Sequence, residues 1–346
     1  MTAAEEPVSL ALARLAAHED LDVESTAEAV MAIMSGHVTP ARTGAFLMAL
    51  RVKGESEQEV AGTALALRRC MTPVPTLGLS CVDTCGTGGD GLATFNISTA
   101  AAFVVAGAGM PVAKHGNRSV SSRCGSMDVM EALGVALLED PGQLARCLKK
   151  PGLAFLHAPH LHPAMRHAAT VRREIGVRTV LNLAGPLANP ALAPYQVLGV
   201  PDVSLQPLMS RVLQRLGTRG AWVVTGSDGM DELTTTGINH VTMIKDGLLT
   251  QTQVDAAELG LPRARPEDLT GGDAAENARL IQAILGGERG PCRDIVTLNA
   301  AAALTVSGRC SDLAEGLRCA EESLEAGEAA RVLDELRQLD CRHVRS

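Results

Sequence analysis

Residues 81–134 constrain this chain more than any other stretch, because they hold two successive strand-to-helix junctions, each suited to an anion. The first is Gly86-Thr87-Gly88-Gly89-Asp90-Gly91, entered from an apolar strand around 80–84 and left by a small-residue helix beginning near Asn96-Ile97-Ser98-Thr99. The second is Lys114-His115-Gly116-Asn117-Arg118-Ser119, entered from a strand at 110–113 and followed by Val120, Ser121 and Ser122. Glycine lacks a Cβ, so backbone N–H groups can close on an anion, and a helix start adds unpaired donors and partial positive charge. Lys114 and Arg118 supply full charges. Side by side, the two loops suit a ligand with phosphates at both ends.

The 346 residues suffice for two domains around at least one large core. Aromatics are scarce while Ala, Gly and Leu abound, which favours close-packed helices and an α/β layer structure over a sandwich. A net charge of −8 argues against a nucleic-acid partner held by a general basic surface, so any anion site is local. No apolar run reaches the roughly 18 residues of a membrane span, and the acidic N-terminus lacks a secretion signal. The expectation is a cytoplasmic protein. Its nine cysteines are odd in number and scattered, and the Cys81/Cys85 spacing is not that of a zinc knuckle, so reduced thiols are expected.

Residues 1–72 read as a small helical domain of four helices. Asp22 can cap one running to Ser35, Thr39-Pro40 opens another, and Ser56-Glu57-Gln58-Glu59 is a capping box. Leu47, Met48 and Leu50 are expected in a core or subunit contact. From residue 73 to 346 the pattern becomes strand, glycine turn, helix. Further strands are expected at 153–157, 196–200 and 221–225, with 240–245 and 248–253 as a hairpin about Asp246-Gly247. The tail reads as helices at 274–285, 293–305, 311–326 and 328–338. The fold class is thus α/β: a small N-terminal helical domain, then a larger domain with a central, mostly parallel sheet flanked by helices, with a hinge or crossover around 163–192.

Several pieces bear chemistry. The 86–91 loop fits G-x-G-x-x-G, but that fingerprint also wants an acid about 20 residues on, where this chain has Lys114-His115. Ordinary NAD binding is therefore disfavoured. A P-loop motif is absent. Ser98 and Thr99 suit a helix cap, a phosphate, or both, whereas Ser119, Ser121, Ser122 and Ser126 are too many hydroxyls for one cap. Asp231-Glu232 follows a strand in a loop. On spacing alone the pair reads as solvated surface, and beside two phosphate loops it reads better as a holder of Mg²⁺, which takes one or two carboxylates with phosphate and water. His157, His160 and His162, interrupted by prolines, read as a loop lining rather than a metal cluster. Arg172 or Arg173 suits a substrate carboxylate. The segment 185–190 is a stiff turn, a wall or a hinge.

The motifs S-G-H-V-T-P-A, L-R-V-K-G-E, G-T-G-G-D-G, T-F-N-I-S-T, K-H-G-N-R-S-V-S-S, H-P-A-M-R-H, V-R-R-E-I-G-V-R-T, G-P-L-A-N-P, D-E-L and G-G-D-A-A-E-N-A occur in that order. Over nearly its full length the chain resembles the anthranilate phosphoribosyltransferases of tryptophan biosynthesis. The resemblance implies Mg²⁺-dependent transfer of phosphoribose from phosphoribosyl pyrophosphate to the amine of anthranilate. It implies that Gly86, Gly89, Asp90, Thr94, Asn96, Ile97, Ser98, Thr99, Lys114, His115, Gly116, Asn117, Arg118, Ser119, Val120, Ser121, Ser122 and Ser126 hold the donor. Ser98, Asp231 and Glu232 would hold magnesium. Gly86, Asn117 and Arg172 would hold anthranilate, with His115 and Pro186 as neighbours. It further implies a homodimer through the helical domain. Leu181, Ala188, His157, Cys124 and Met127 depart from the family pattern as read here, on the acceptor side.

Rival readings are a nucleoside phosphorylase of the same architecture, a catalytically silent paralogue that binds nucleic acid, and an NADP oxidoreductase. The acid pair argues against the first, and the lack of a basic surface against the second.

Overall fold

Four helices open the chain: α1 (Glu6–Ala16), α2 (Val23–Met34), α3 (Pro40–Lys53) and α4 (Glu57–Cys70). The computed structural model describes residues 5–118 and 124–341. Their starts follow the capping logic of the sequence. Asp22 accepts from Ser25 N at 2.8 Å, Thr39 caps α3 with Pro40 in its first turn, and Ser56 and Glu59 form a capping box. Glu59 is fully buried yet satisfied, accepting from Leu21 N (3.0 Å), Ser56 N (2.8 Å) and Lys53 Nζ (3.0 Å). A buried carboxylate is tolerable only with such partners.

The chain then runs through β1 (Val82–Gly86), α5 (Ile97–Gly107), β2 (Val112–Gly116), α6 (Ser126–Ala132), α7 (Pro141–Lys149), β3 (Leu153–His157) and α8 (Ala158–Leu161). It returns to the first four helices with α9 (Arg166–Ile175) and α10 (Val180–Ala184). Ala168, Val171, Val180 and Leu181 share a core with Val30, Phe46, Leu50 and Leu67. The helical unit is therefore built from two stretches of chain.

After α10 come β4 (Tyr195–Gly199), α11 (Gln206–Arg215), β5 (Gly220–Gly226), β6 (Ile238–Lys245), β7 (Leu248–Asp255), α12 (Ala274–Leu285), α13 (Pro291–Val306), α14 (Leu313–Glu325) and α15 (Glu328–Cys341). The sheet order is β3-β2-β1-β4-β5-β6-β7. Its first five strands are parallel and its last two antiparallel. Alternation along the strands divides the apolar residues between two cores. Val197, Trp222 and Val224 join Phe103 and Leu298 on one face, while Leu198, Ala221 and Val223 join the helical unit on the other. Each fully buried Val, Leu or Phe among them contributes roughly 1.5–3 kcal/mol. Among the described residues no helix is long and apolar enough to cross a membrane, and no disulfide is formed.

The expected elements are present, with three shifts. β1 and β2 begin about two residues later than expected and run on to Gly86 and Gly116, because each pairs along its length with a parallel neighbour. Lys114 and His115 are thus strand residues, opposite Phe155 and Leu156. The helix after the first loop is capped from Asn96, not from Ser98 or Thr99, and it has no side-chain cap bond. The histidine segment after β3 is not all loop: Pro159 sits in the first turn of α8, where proline costs nothing.

Candidate active site

Strand order reverses between β1 and β4, and in open parallel sheets ligands bind beyond the strand ends at such a point. Here those ends are glycines, Gly86 paired with Gly199. A Cβ on Gly86 would overlap Asp231 Oδ2, and one on Gly199 would overlap the Asp231 backbone. Asp231 and Glu232 follow β5, and the two glycines let them lie across the strand ends.

The acid pair meets both ends of the first loop. Gly88 N donates to Asp231 Oδ2 at 2.7 Å, and Ser98 N at the start of α5 donates to Glu232 Oε1 at 3.2 Å. Asp90, whose Oδ1 accepts from Leu92 N at 3.1 Å, also shares a hydrogen bond with Asp231. Burial, then the charge of Asp90, pushes Asp231 up to about 6. Burial, then the charge of Asp231, pushes Glu232 up to about 8. Glu232 Oε2 is buried with no partner. Two crowded carboxylates, an orphaned oxygen and the neighbouring Ser98 make a hard-oxygen donor set of the kind that suits a cation. Among the described residues no three His, Cys, Asp or Glu side chains converge as a metal-binding group.

The other residues expected to hold the donor make contacts of their own. Gly88, Gly89 and Gly91 all have positive φ (69°, 84° and 69°), which turns the loop sharply and favours glycine. Thr94 pairs with Thr270, and Asn96 donates to Cys124 O at 3.2 Å while accepting from Asn277 at 2.9 Å. Ile97 and Thr99 are buried in α5. Ser126 donates to Asn117 O at 3.3 Å, and a Cβ on Gly116 would overlap its hydroxyl. Ser119, Val120, Ser121 and Ser122 lie outside the described residues.

Two cations stand differently from their sequence reading. Lys114 is buried within the sheet, where it donates to Thr84 O and lies in the fields of Asp83, Glu232 and Asp231. Arg118 is exposed and held by Glu131 (2.7 and 2.5 Å) and Asp128 (3.2 Å) on α6.

Of the residues expected beside an acceptor, Asn117 is exposed beyond β2 and its Oδ1 accepts from Arg118 N at 2.8 Å. Arg172, on the last turn of α9, is half-buried, and burial lowers its pKa. No described residue bonds its guanidinium. Arg173 is exposed. The His115 ring packs 5.1 Å from that of His162, bonds to the backbone of Gly185, and is depressed to about 3 by burial. The Nε2 atoms of His115, His157 and His162 are buried without partners. Pro186 accepts at its carbonyl from Gln196 at 2.8 Å. Leu181 and Ala188 are buried in the helical core.

Four residues of the site carry no role in the sequence reading. Asn189 donates to Asp83 Oδ2 and Ala113 O, both at 2.8 Å, which fastens the 185–190 turn to β1 and β2. Gly199 seats Asp231. Asn277 braces Asn96. Arg178 donates to the carbonyls of Gly88 (2.5 Å) and Thr87 (2.9 Å). A polar residue inside G-P-L-A-N-P and a glycine ending a strand were the available signals for the first two.

A helical bundle joined to an α/β sheet is the two-part architecture of the glycosyl transferase family, whose models match this chain in both parts. The family models for the glycosyl transferase helical bundle domain and a/b domain match residues 10–71 and 79–330. The anthranilate phosphoribosyltransferase of Moorella thermoacetica is 52% identical over 93% of this chain and 95% of its own. That of Symbiobacterium thermophilum is 48% identical over 96% and 97%. Among solved structures, the Thermus thermophilus enzyme superposes with a TM-score of 0.90 at 43% identity, covering 95% of this chain and 98% of that one. The Saccharomyces cerevisiae enzyme, in complex with PRPP and Mg, gives 0.88 at 26%, covering 96% and 98%. The chain belongs to the anthranilate phosphoribosyltransferase family, enzymes of tryptophan biosynthesis.

Proposed function

We propose that the protein transfers phosphoribose from phosphoribosyl pyrophosphate (PRPP) to the amine of anthranilate, with Mg²⁺, giving N-(5-phosphoribosyl)anthranilate and pyrophosphate. The observation that carries this reading is the buried Asp231-Glu232 pair, bonded to Gly88 N and Ser98 N, with Glu232 Oε2 unpartnered. Ser98, Asp231 and Glu232 would hold the ion, which when bound supplies positive charge against the leaving pyrophosphate. The glycine loop, the start of α5 and the 114–122 segment with Ser126 would orient the donor. Arg172, a half-buried cation with no described partner, would take the anthranilate carboxylate, with Asn117, Gly86, His115 and Pro186 beside the ring. An aromatic amine is unprotonated near neutrality, so positioning suffices and no residue is needed as general base. His115, neutral at pH 7, suits a site that excludes water and adds no charge.

The same reading makes the protein a cytoplasmic homodimer. Leu10 on α1 (64% exposed) and Val52 on α3 (74% exposed) support a contact through the helical unit.

The test is the decay of anthranilate fluorescence with PRPP, with and without Mg²⁺, alongside Asp231→Asn/Glu232→Gln. Magnesium-dependent decay that the double variant loses is expected. PRPP binding without decay would overturn the acceptor.

A further inference from the structure

The glycine loop is held from two sides. Asp231 takes the N–H of Gly88, while Arg178 takes its carbonyl and that of Thr87, so one peptide unit is bracketed between a carboxylate and a guanidinium. The bracket is tight, since a Cβ on Gly89 would overlap Arg178 Nη1. Arg178 reaches the loop from the other unit of the molecule. It lies in the turn between α9 and α10, whose apolar residues pack among the N-terminal helices. Half-buried, it makes no ion pair within 4.0 Å among the described residues, so its bonds to the loop are its anchorage there. The turn is itself fixed. Gly176 N donates to Arg172 O at 3.2 Å with Gly176 in the left-handed region (φ 69°), and Thr179 N donates to Asn182 at 3.0 Å. The arginine suited to the acceptor carboxylate and the one that clamps the donor loop are therefore two ends of one short, rigid turn.

We propose that Arg178 is a positioning residue that sets the glycine loop for PRPP and, through α9, couples donor binding to acceptor binding at Arg172. This rests on the donor and acceptor assignment above. Charge-assisted bonds to a loop that must otherwise be ordered on binding lower the cost of donor binding. Because coupling is reciprocal, each ligand should tighten the other by the same factor.

The experiment is calorimetric titration of PRPP with Mg²⁺, with and without 2-hydroxybenzoate, which keeps the ring and carboxylate but lacks the amine. Wild type, Arg178→Met, Arg178→Lys and the exposed control Arg173→Met are compared. Wild type and Arg173→Met should bind PRPP more tightly when 2-hydroxybenzoate is present. Arg178→Met should bind PRPP roughly tenfold or more weakly, as expected for losing bonds from a charged donor, and should lose the tightening. Arg178→Lys keeps the charge but cannot span both carbonyls, so it should fall between, and it serves as the test if Arg178→Met does not fold. Wild-type PRPP affinity and wild-type tightening in either Arg178 variant would overturn the proposal. So would a wild-type protein that binds both ligands without coupling. A wild-type protein that binds no PRPP would instead remove the donor assignment itself.

Discussion

The backbone carbonyl of Asp231 fills the space that a side chain on Gly199 would need. Gly199 is paired with Gly86 across β4 and β1, so the acid pair is seated on two missing side chains. Gly199→Ala should push the 230–232 turn off the sheet. Overpacking of this kind costs about 1–3 kcal/mol. Urea unfolding should show that loss, and a Mg²⁺ titration of activity should require more metal. An unchanged Mg²⁺ response would show that the turn is held from elsewhere.

Arg172→Ala should act on one substrate. Removing a charged hydrogen-bond donor costs roughly 1.5–3 kcal/mol, so kcat/KM for anthranilate should fall about ten- to a hundredfold. PRPP affinity, measured without acceptor, should hold. A wild-type kcat/KM for anthranilate would remove the carboxylate role.

Two imidazoles, half-buried His115 and buried His162, predict acid sensitivity. His115 and His162 are depressed to about 3 and about 4, chiefly by burial, from an ordinary 6.5. A lowered folded pKa gives stability that is fully present above pH 6.5 and is lost as pH falls toward 4, because the unfolded chain takes protons the folded one refuses. Each imidazole contributes up to about 1.4 kcal/mol per pH unit across that window. Urea midpoints at pH 7, 6 and 5 should fall more steeply for wild type than for His115→Gln/His162→Gln. Parallel slopes would count against the pair.

Asn189→Ala removes both the donor to Asp83 and the donor to Ala113 O. Asp83 is fully buried, and burial already pushes it up to about 6. Leaving it short of a partner should cost roughly 2–4 kcal/mol, read as a lower urea midpoint. The 185–190 turn should also gain proteolytic sensitivity. A midpoint at the wild-type value would mean the sheet and the turn are joined by other contacts.

Local chemistry made most of the fold readable. Caps at Asp22, Thr39 and Ser56 each satisfy donors within a few residues, so they are written in adjacent letters. The Asp246-Gly247 hairpin is equally local, with both residues at positive φ. What escaped depends on partners far away in the chain. Lys114 reads as a loop cation because a charge inside a strand is rare. Its burial makes sense only once β2 is paired with β3 and Thr84 is seen to receive it. The contacts Arg118 makes with Glu131 are equally invisible in the sequence, because they need α6 to fold back beside the end of β2. Arg178 and Gly199 meet their partners 90 and 32 positions away, and no spacing within either motif announces that. The acid pair stands out in the sequence because two phosphate-type loops give adjacent carboxylates something to do, and in the fold it meets Gly88 N and Ser98 N.

The return of α9 and α10 to the first four helices has a consequence for how the protein comes off the ribosome. Val30, Phe46, Leu50 and Leu67 share their core with Val171, Val180 and Leu181. Helices α1–α4 precede α10 in the chain and remain an unfinished layer until Ala184 has been made, after β1, β2 and β3. The nascent N-terminal segment therefore waits with apolar surface uncovered, and its release as a separate fragment would leave that surface open to aggregation.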